Sequence, residues 1–135
     1  MKALFIMLPL ALLGCDPAET TDTGAEVAVP TGIPAAMQGR WGLAANECTA
    51  DPSIAKGLMV VEGDTLRFYE SRGTLDTVTG GSDTALEGHF AFTGEGMEWE
   101  RDLVLTLSDG GDTLTRLDSG DDENAGSFDY VRCAD

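Results

Sequence analysis

The sequence has 135 residues, a length that corresponds to one domain, with 24 acidic and only eight basic residues and a formal net charge of −16. This excess of acid argues against nucleic acid as a partner, because binding to phosphates requires many basic side chains. Strong acidity otherwise favours solubility and says little about the fold.

The chain opens with one positive residue, Lys2, followed by an apolar run over residues 3–13 that ends at Gly14 and Cys15. The run is too short to cross a hydrocarbon core, which takes about 20 apolar residues. The segment Leu12-Leu13-Gly14-Cys15 resembles the lipobox of bacterial lipoproteins. This resemblance implies that residues 1–14 are a signal peptide and that Cys15 becomes the acylated first residue. The alternative is an ordinary secretory peptide with an incidental cysteine.

A protein anchored through several acyl chains stays at its membrane stably. We therefore expect an envelope protein that faces the periplasm. Asp16 after the acylated cysteine resembles the pattern of lipoproteins that enteric bacteria keep in the inner membrane. This rule is not general across bacteria, so both the inner and the outer membrane stay open. Loss of the leader removes Lys2 and no acid, so the mature 121 residues would carry a charge of −17. Because an anionic lipid surface would repel such a domain, the anchor is expected to be covalent.

Residues 15–32 hold the acylated cysteine and then a stretch rich in Thr, Ala and acids. This composition cannot build a core, so it predicts a flexible, disordered N-terminal tether. The folded domain is predicted to occupy residues 33–135.

Within that domain, short β-like runs alternate with turns that contain Gly and Asp. Eight such runs predict an all-β fold, a small antiparallel meander barrel, in which closure removes exposed strand edges. Residues 34–38 predict a single helical turn before the first strand, and residues 80–83 predict a turn. The predicted strands cover residues 39–44, 57–62, 65–71, 74–78, 85–93, 97–107, 113–118 and 127–133.

The longest run, residues 97–107, alternates apolar and polar side chains with a period of two. Leu103, Leu105 and Leu107 would face the core, and Arg101 falls on this same apolar side. Arg101 is a residue of interest because it is the charged exception on this apolar side.

The predicted helical turn is followed by Gly39-Arg40-Trp41. This pattern resembles the Gly-x-Trp opening of lipocalins and other calycin barrels, and the barrels of bacterial inhibitors of serralysin-type metalloproteases are similar in size. The resemblance implies that Gly39 and Trp41 close one end of the barrel, with Arg132 covering the Trp ring. The chain is shorter than lipocalins, which argues against a large cavity, and its N-terminus would carry lipid, unlike that of the inhibitors.

With Cys15 assigned to lipid, Cys48 and Cys133 remain, and an even remainder in an exported chain predicts a disulfide. The chain has no Cys-x-x-Cys pair and a single histidine, which argues against a metal site or a cysteine nucleophile.

Catalytic patterns are weak in this sequence. His89 lacks a Gly-x-Ser-x-Gly partner, and Glu98 with Glu100 fits a solvated strand face better than a glycosidase pair. The loop from Asp118 to Asn124 clusters oxygen ligands suited to Ca²⁺ but lacks EF-hand spacing, so an acidic loop in water is expected. We expect no metal, no cofactor and no enzyme activity.

Charged residues within strand runs remain as candidates for binding, namely Arg67, Tyr69, Arg72 and Arg101. They would form either a recognition patch at a barrel mouth or face, or ordinary cross-strand ion pairs. We therefore expect a monomeric, non-catalytic binding module for a protein or small molecule. The alternative is an inhibitor of a periplasmic or exogenous hydrolase, either a protease or a lysozyme, to which the acidic domain would be steered. A small hydrolase that uses His89 is the third hypothesis.

Overall fold

The computed structural model describes residues 28–119 and 125–134. Eight antiparallel strands form a closed barrel in which each strand pairs with its neighbours in sequence and the first pairs with the last. The predicted all-β meander barrel is confirmed. The strands are β1 (Gly39–Gly42), β2 (Leu58–Glu62), β3 (Thr65–Arg67), β4 (Ser71–Ser82), β5 (Ala85–Gly94), β6 (Met97–Ser108), β7 (Thr113–Ser119) and β8 (Gly126–Arg132).

Three short 3₁₀ helices accompany the strands, at Ala35–Met37, Ala45–Cys48 and Asp109–Gly111. The first lies within the predicted helical turn over residues 34–38. The second was not predicted, because a single helical turn leaves no apolar periodicity in the sequence. The predicted signal peptide, Cys15 and the tether up to residue 27 lie outside the described residues. Within residues 28–119 and 125–134, no helix has the length and apolar composition that a bilayer span needs.

Two strands, β3 and β4, depart from their predicted bounds by more than two residues. β3 ends at Arg67 rather than at Ser71, because the chain turns there and the Phe68 amide donates a hydrogen bond to the Ser71 carbonyl at 2.8 Å. β4 runs through the predicted turn over residues 80–83 and ends at Ser82. The pairing of β4 with β5 is irregular between Leu75 and Thr77 and again between Val78 and Gly80, where the Gly80-Gly81 pair begins.

The barrel has two different ends. The closed end carries the N-terminal 3₁₀ helix and the connections over residues 63–64, 83–84 and 109–112. The opposite end, which we call the mouth, carries segment 43–57, the turns over residues 68–70 and 95–96, and the adjoining ends of β7 and β8 at Ser119 and Gly126.

Trp41 seals the closed end from inside the barrel. Its side chain is fully buried, and its indole Nε1 donates a hydrogen bond to the Met37 carbonyl at 2.9 Å. Arg132 lies over the indole ring, and Gly39 enters β1 with a φ of +117°, a conformation that favours glycine. The structure thus places Gly39, Trp41 and Arg132 together at this end.

Apolar side chains fill the barrel from the closed end towards the mouth. In β6 the buried residues are Leu103, Leu105 and Leu107, as their alternation predicts, whereas Met97 is 61% exposed because it lies at the mouth. The other members of this core include Met37, Met59, Val61, Leu66, Leu86, Phe90, Phe92, Leu114 and Tyr130.

The predicted disulfide between Cys48 and Cys133 is present, with an S–S distance of 2.03 Å. It joins segment 43–57 to the end of β8 on the outside of the barrel. Cys133 packs there with Ala55 and Leu58 in a second, smaller apolar cluster. The disulfide therefore holds segment 43–57 against the outer face of the sheet.

Candidate functional site

The four residues predicted for binding lie in two different places. Arg101 is half-buried on the inner face of β6, near the mouth. Arg67 and Arg72 are exposed on the outer face of β3 and β4, and Tyr69 lies in the turn between these strands. The structure therefore does not bring all four residues together in a single patch.

The mouth forms a concave site of about 420 Å³. Aromatic and charged side chains line it together, which is the combination that small-molecule sites use to hold and orient a ligand. The side chains that line it include Phe92, Trp99, Arg101, Arg116, Asp118 and Phe128.

An ion pair lies at the floor of the mouth. Arg116 and Asp118 are two residues apart on β7 and share its inner face. Arg116 donates from Nε to Asp118 Oδ1 at 2.8 Å and from Nη2 to Oδ2 at 3.3 Å. Only 12% and 13% of the two side chains are exposed, so the pair is largely removed from water. Charged groups in such a position require partners on every side.

Aromatic rings supply the other partners of Arg116. Its guanidinium carbon lies 4.8 Å from the ring centroid of Phe68 and 4.3 Å from that of Phe128, distances typical of cation–π contacts. Its Nη1 donates to the Tyr130 hydroxyl at 3.0 Å. Burial raises the pKa of Tyr130, while the Arg116 charge lowers it and the Asp118 charge raises it.

A row of stacked rings forms one wall of the mouth. The Phe92 ring centroid lies 5.5 Å from that of Trp99 and 6.1 Å from that of Phe68. Gly73 faces Phe92 across β4 and β5, and a Cβ atom at Gly73 would lie 2.7 Å from the Phe92 ring. The absence of a side chain at Gly73 therefore leaves the space that the Phe92 ring occupies.

The sequence analysis missed Arg116, Phe68 and Gly73 as site residues. The alternation of Leu114, Arg116 and Asp118 already indicated that two charged residues share the face of a core leucine. The partners from other strands carry no such signal, because they meet Arg116 only when the barrel closes.

A second concave surface, which we call the outer groove, lies outside the barrel between segment 43–57 and β3. Its volume is about 300 Å³. Arg40 is held there by a hydrogen bond from Nη2 to the Cys48 carbonyl at 2.8 Å, and the ammonium group of Lys56 lies 5.8 Å from the Tyr69 ring centroid. The side chains that line the groove include Arg40, Ala55, Leu58, Val60, Arg67 and Tyr69.

His89 lies on the outer face of β5, on the opposite side of the sheet from the side chains that line the mouth. Its Nδ1 is 2.8 Å from Asp102 Oδ1, and its Nε2 is 3.6 Å from Glu100 Oε2. The hydrogen bond to Asp102 is the main cause that raises the pKa of His89. With a carboxylate at each ring nitrogen, His89 is arranged as a member of a surface ion pair. Glu98 and Glu100 are exposed on the outer face of β6.

Only Asp118 and Ser119 of the loop considered as a calcium candidate belong to the described residues, and Asp118 is engaged by Arg116. In the part of the chain that the structure describes, no group of three or more His, Cys, Asp or Glu side chains is placed to hold a metal ion.

Comparison with protein-family models, curated proteins and solved structures finds no match to this chain.

Proposed function

We propose that this protein is a lipid-anchored, calycin-like envelope protein that acts as a non-catalytic binding module and takes a small ligand at the mouth. The observation that carries this proposal is the Arg116–Asp118 pair, which lies largely buried among aromatic rings at the floor of the mouth. The lipobox resemblance of residues 12–15 supports the anchor.

A buried ion pair supports binding better than it supports folding. Removing two charges from water costs free energy that their attraction only partly returns, and apolar residues in the same place often give equal or greater stability. The core between this pair and the closed end is built from apolar side chains. Charged groups retained at the one concave end of such a core are typical of a site that orients a polar ligand.

The chemistry of the mouth favours a ligand that contains a flat ring and an anionic group. Trp99 is half-buried and offers a ring for stacking at the rim. Among the described side chains that line the mouth, Arg101 and Arg116 are cationic and Asp118 is anionic. A ring compound that carries a carboxylate therefore matches the aromatic wall and the guanidinium donors of the mouth.

Tryptophan fluorescence tests this proposal. The chain has two tryptophans, of which Trp41 is fully buried at the closed end and Trp99 lies at the mouth. We expect 2-naphthoate to quench the fluorescence of the full-length protein in a saturable manner, and 2-naphthylmethylamine, its cationic counterpart, to bind more weakly.

Two variants locate the binding event. Arg101→Gln and Trp99→Leu should each weaken 2-naphthoate binding, measured by calorimetry because Trp99→Leu removes the fluorophore. Glu98→Gln changes an exposed residue on the outer face of the same strand and is the matched control. Equal affinity in all four proteins would contradict a ligand site at the mouth.

The anchor is tested separately. Mass spectrometry of the protein from membranes should find a mature N-terminus at Cys15 that carries acyl chains. Cys15→Ser should release the protein from the membrane fraction, and retention of that variant at the membrane would contradict a lipid anchor.

Inhibition of a hydrolase is the second candidate function. The outer face of β6 presents Glu98, Glu100 and Asp102, all of them exposed, and such an acidic face would steer the protein to a basic enzyme. Assays of lysozyme and of secreted metalloproteases with the full-length protein test this alternative. If an excess of this protein does not inhibit these enzymes, the hypothesis of a hydrolase inhibitor is contradicted.

A further inference from the structure

Three arginines lie in one row across the outer surface of strands β1 to β4. Arg40 is opposite Val60, Val60 is opposite Arg67, and Arg67 is opposite Arg72 in the registers of the three strand pairs. Because neighbouring strands are about 4.8 Å apart, the row from Arg40 to Arg72 extends over about 14 Å. We call these three residues the arginine row.

The pair of Arg67 and Arg72 is unfavourable for the sheet itself. Like charges directly opposite each other on neighbouring strands are destabilising. The chain has 24 acidic residues and only eight basic ones, so a chance pairing would more often place an acid beside an arginine. Features that weaken a fold locally are expected where they serve a function.

Acidic side chains neutralise little of the positive charge of the arginine row. Arg67 contacts Glu62 at 4.0 Å, but the two side chains are 52% and 79% exposed, and such surface pairs are weak. Within residues 28–119 and 125–134, no ion pair joins Arg40 or Arg72 to a carboxylate. The positive charge of the row is therefore available to a partner.

The outer groove lies beside this row and adds an apolar floor. Val60 occupies the position between Arg40 and Arg67, and Leu58 and Ala55 extend the floor towards segment 43–57. The groove of about 300 Å³ can take one apolar side chain of a partner. Its wall is held in place by the Cys48–Cys133 disulfide, and Lys56 adds a fourth cation near Tyr69.

We propose that the arginine row and the outer groove form a second binding site, distinct from the mouth, for an extended acidic segment of a partner protein. In an extended peptide, alternate side chains point the same way and residues i and i+4 are about 13 Å apart. Acidic residues at i and i+4 would then reach Arg40 and Arg72, and an apolar residue at i+2 would enter the groove. Guanidinium groups suit this role because they bind carboxylates with two parallel hydrogen bonds.

The net charge of the protein does not prevent such binding. At physiological ionic strength the Debye length is about 8 Å, so exposed acids farther away are largely screened from a peptide on the row. A broad anionic surface would meet the other acids of the domain as well, which favours a narrow peptide over a membrane as the partner.

Fluorescence anisotropy with labelled peptides tests the proposal on the full-length protein in a nonionic detergent. The probe is Glu-Thr-Val-Thr-Glu carrying rhodamine. The matched controls are Lys-Thr-Val-Thr-Lys, which reverses the charge, and Glu-Thr-Ser-Thr-Glu, which removes the apolar centre. We expect saturable binding of the probe, weaker binding of the serine peptide and none of the lysine peptide. Raising the ionic strength from about 0.05 M to about 0.5 M should weaken binding of the probe.

Variants of the protein locate the site. The double variant Arg67→Gln, Arg72→Gln should bind the probe about tenfold more weakly, because it loses two charge contacts. The double variant Arg67→Glu, Arg72→Glu should instead bind the lysine peptide. Both residues are exposed, so folding is expected to persist and is checked by circular dichroism.

Arg101→Gln separates this site from the mouth. It removes one positive charge at the mouth and should leave probe binding unchanged, while it weakens binding of 2-naphthoate. The proposal is overturned if the probe does not bind, or if it binds equally to the Arg67→Gln, Arg72→Gln variant. It is also overturned if only inorganic pyrophosphate or phosphatidylglycerol vesicles bind in a manner that depends on the arginine row.

Discussion

Arg132 and Trp41 lie directly opposite each other on β8 and β1, with the guanidinium carbon 4.2 Å from the centroid of the indole ring. These strands close the barrel through only two residue pairs, whereas β4 and β5 are joined through ten. Arg132 strengthens this short seam by donating to backbone carbonyls from Nε, Nη1 and Nη2. The accepting carbonyls belong to Gly111, Gln38 and Ala36.

Replacement of Arg132 should therefore open the closed end. We expect Arg132→Met to lower the free energy of unfolding by about 2 kcal/mol, because it removes the hydrogen bonds and the cation–π contact. Arg132→Lys should recover only part of this loss, because an ammonium group cannot make the forked contacts. Urea unfolding measures the free energy of unfolding of both variants. An Arg132→Lys variant as stable as the wild type would contradict the role of the fork.

The ion pair at the floor of the mouth should respond more strongly to loss of one partner than to loss of both. Asp118→Asn leaves the Arg116 charge largely buried without its carboxylate, and we expect it to lower the free energy of unfolding by about 2 kcal/mol. The double variant Arg116→Met, Asp118→Leu should lose less than the two single changes added together. Additive losses in a double-mutant cycle would show that the pair is not coupled.

The same variant should change the titration of Tyr130. Burial raises the pKa of this hydroxyl and the Asp118 charge raises it further, so Asp118→Asn should lower that pKa. Ultraviolet difference spectroscopy of the wild-type and Asp118→Asn proteins follows the titration. Since the pKa is higher in the folded state, the unfolded chain loses its proton first, and stability should fall as pH rises above about 10.

His89 should make a contribution to folding stability that depends on pH near neutrality. The hydrogen bond to Asp102 raises the pKa of His89 above 6.5, Glu100 adds to this, and desolvation opposes it. A raised pKa in the folded state means that the stabilisation is fully present below about pH 6.5 and is lost as pH rises through the folded value.

Proton NMR measures this titration directly, because the chain has a single histidine. Asp102→Asn should lower the pKa of His89 towards 6.5. Glu98→Gln, on the same outer face of β6, is the matched control and should change it little. An unchanged His89 pKa in the Asp102→Asn protein would contradict the assigned cause.

Reduction of the Cys48–Cys133 disulfide should affect both stability and the outer groove. The cystine joins residues separated by 85 positions, and the chain-entropy model gives about 4.5 kcal/mol for a loop of this length. We expect the Cys48→Ala, Cys133→Ala variant to unfold at lower urea and to bind the acidic peptide more weakly, because segment 43–57 loses its attachment. Binding of 2-naphthoate at the mouth should persist under conditions where the variant remains folded.

Gly73→Ala tests the packing of the ring row. The new Cβ would lie 2.7 Å from the Phe92 ring, so the ring must move, and overpacking of this kind costs about 1–3 kcal/mol. Because Phe92 stacks on Trp99, the Trp99 fluorescence should change as well. Gly96→Ala is a contrasting change, because it lies in open space but has a positive φ and should affect stability without moving Trp99 emission.

Several features of this protein follow from its sequence alone, because they depend on local patterns. Short β-like runs between Gly- and Asp-containing turns located eight strands. Period-two alternation located the buried leucines of β6, since neighbouring side chains on a strand must point to opposite faces. The count of cysteines, with Cys15 set aside, predicted the Cys48–Cys133 disulfide. Arg101 stood out because a charge interrupted an apolar face.

The tertiary structure alone decided which charged residues meet. Arg40, Arg67 and Arg72 form a row, and Arg116 meets Phe68 and Phe128, only because strand register and closure of the barrel bring separate strands together. Register depends on the summed packing of the whole sheet, and a shift by one residue would exchange the inner and outer faces. For that reason the four residues expected in one patch divide between the mouth and the outer surface.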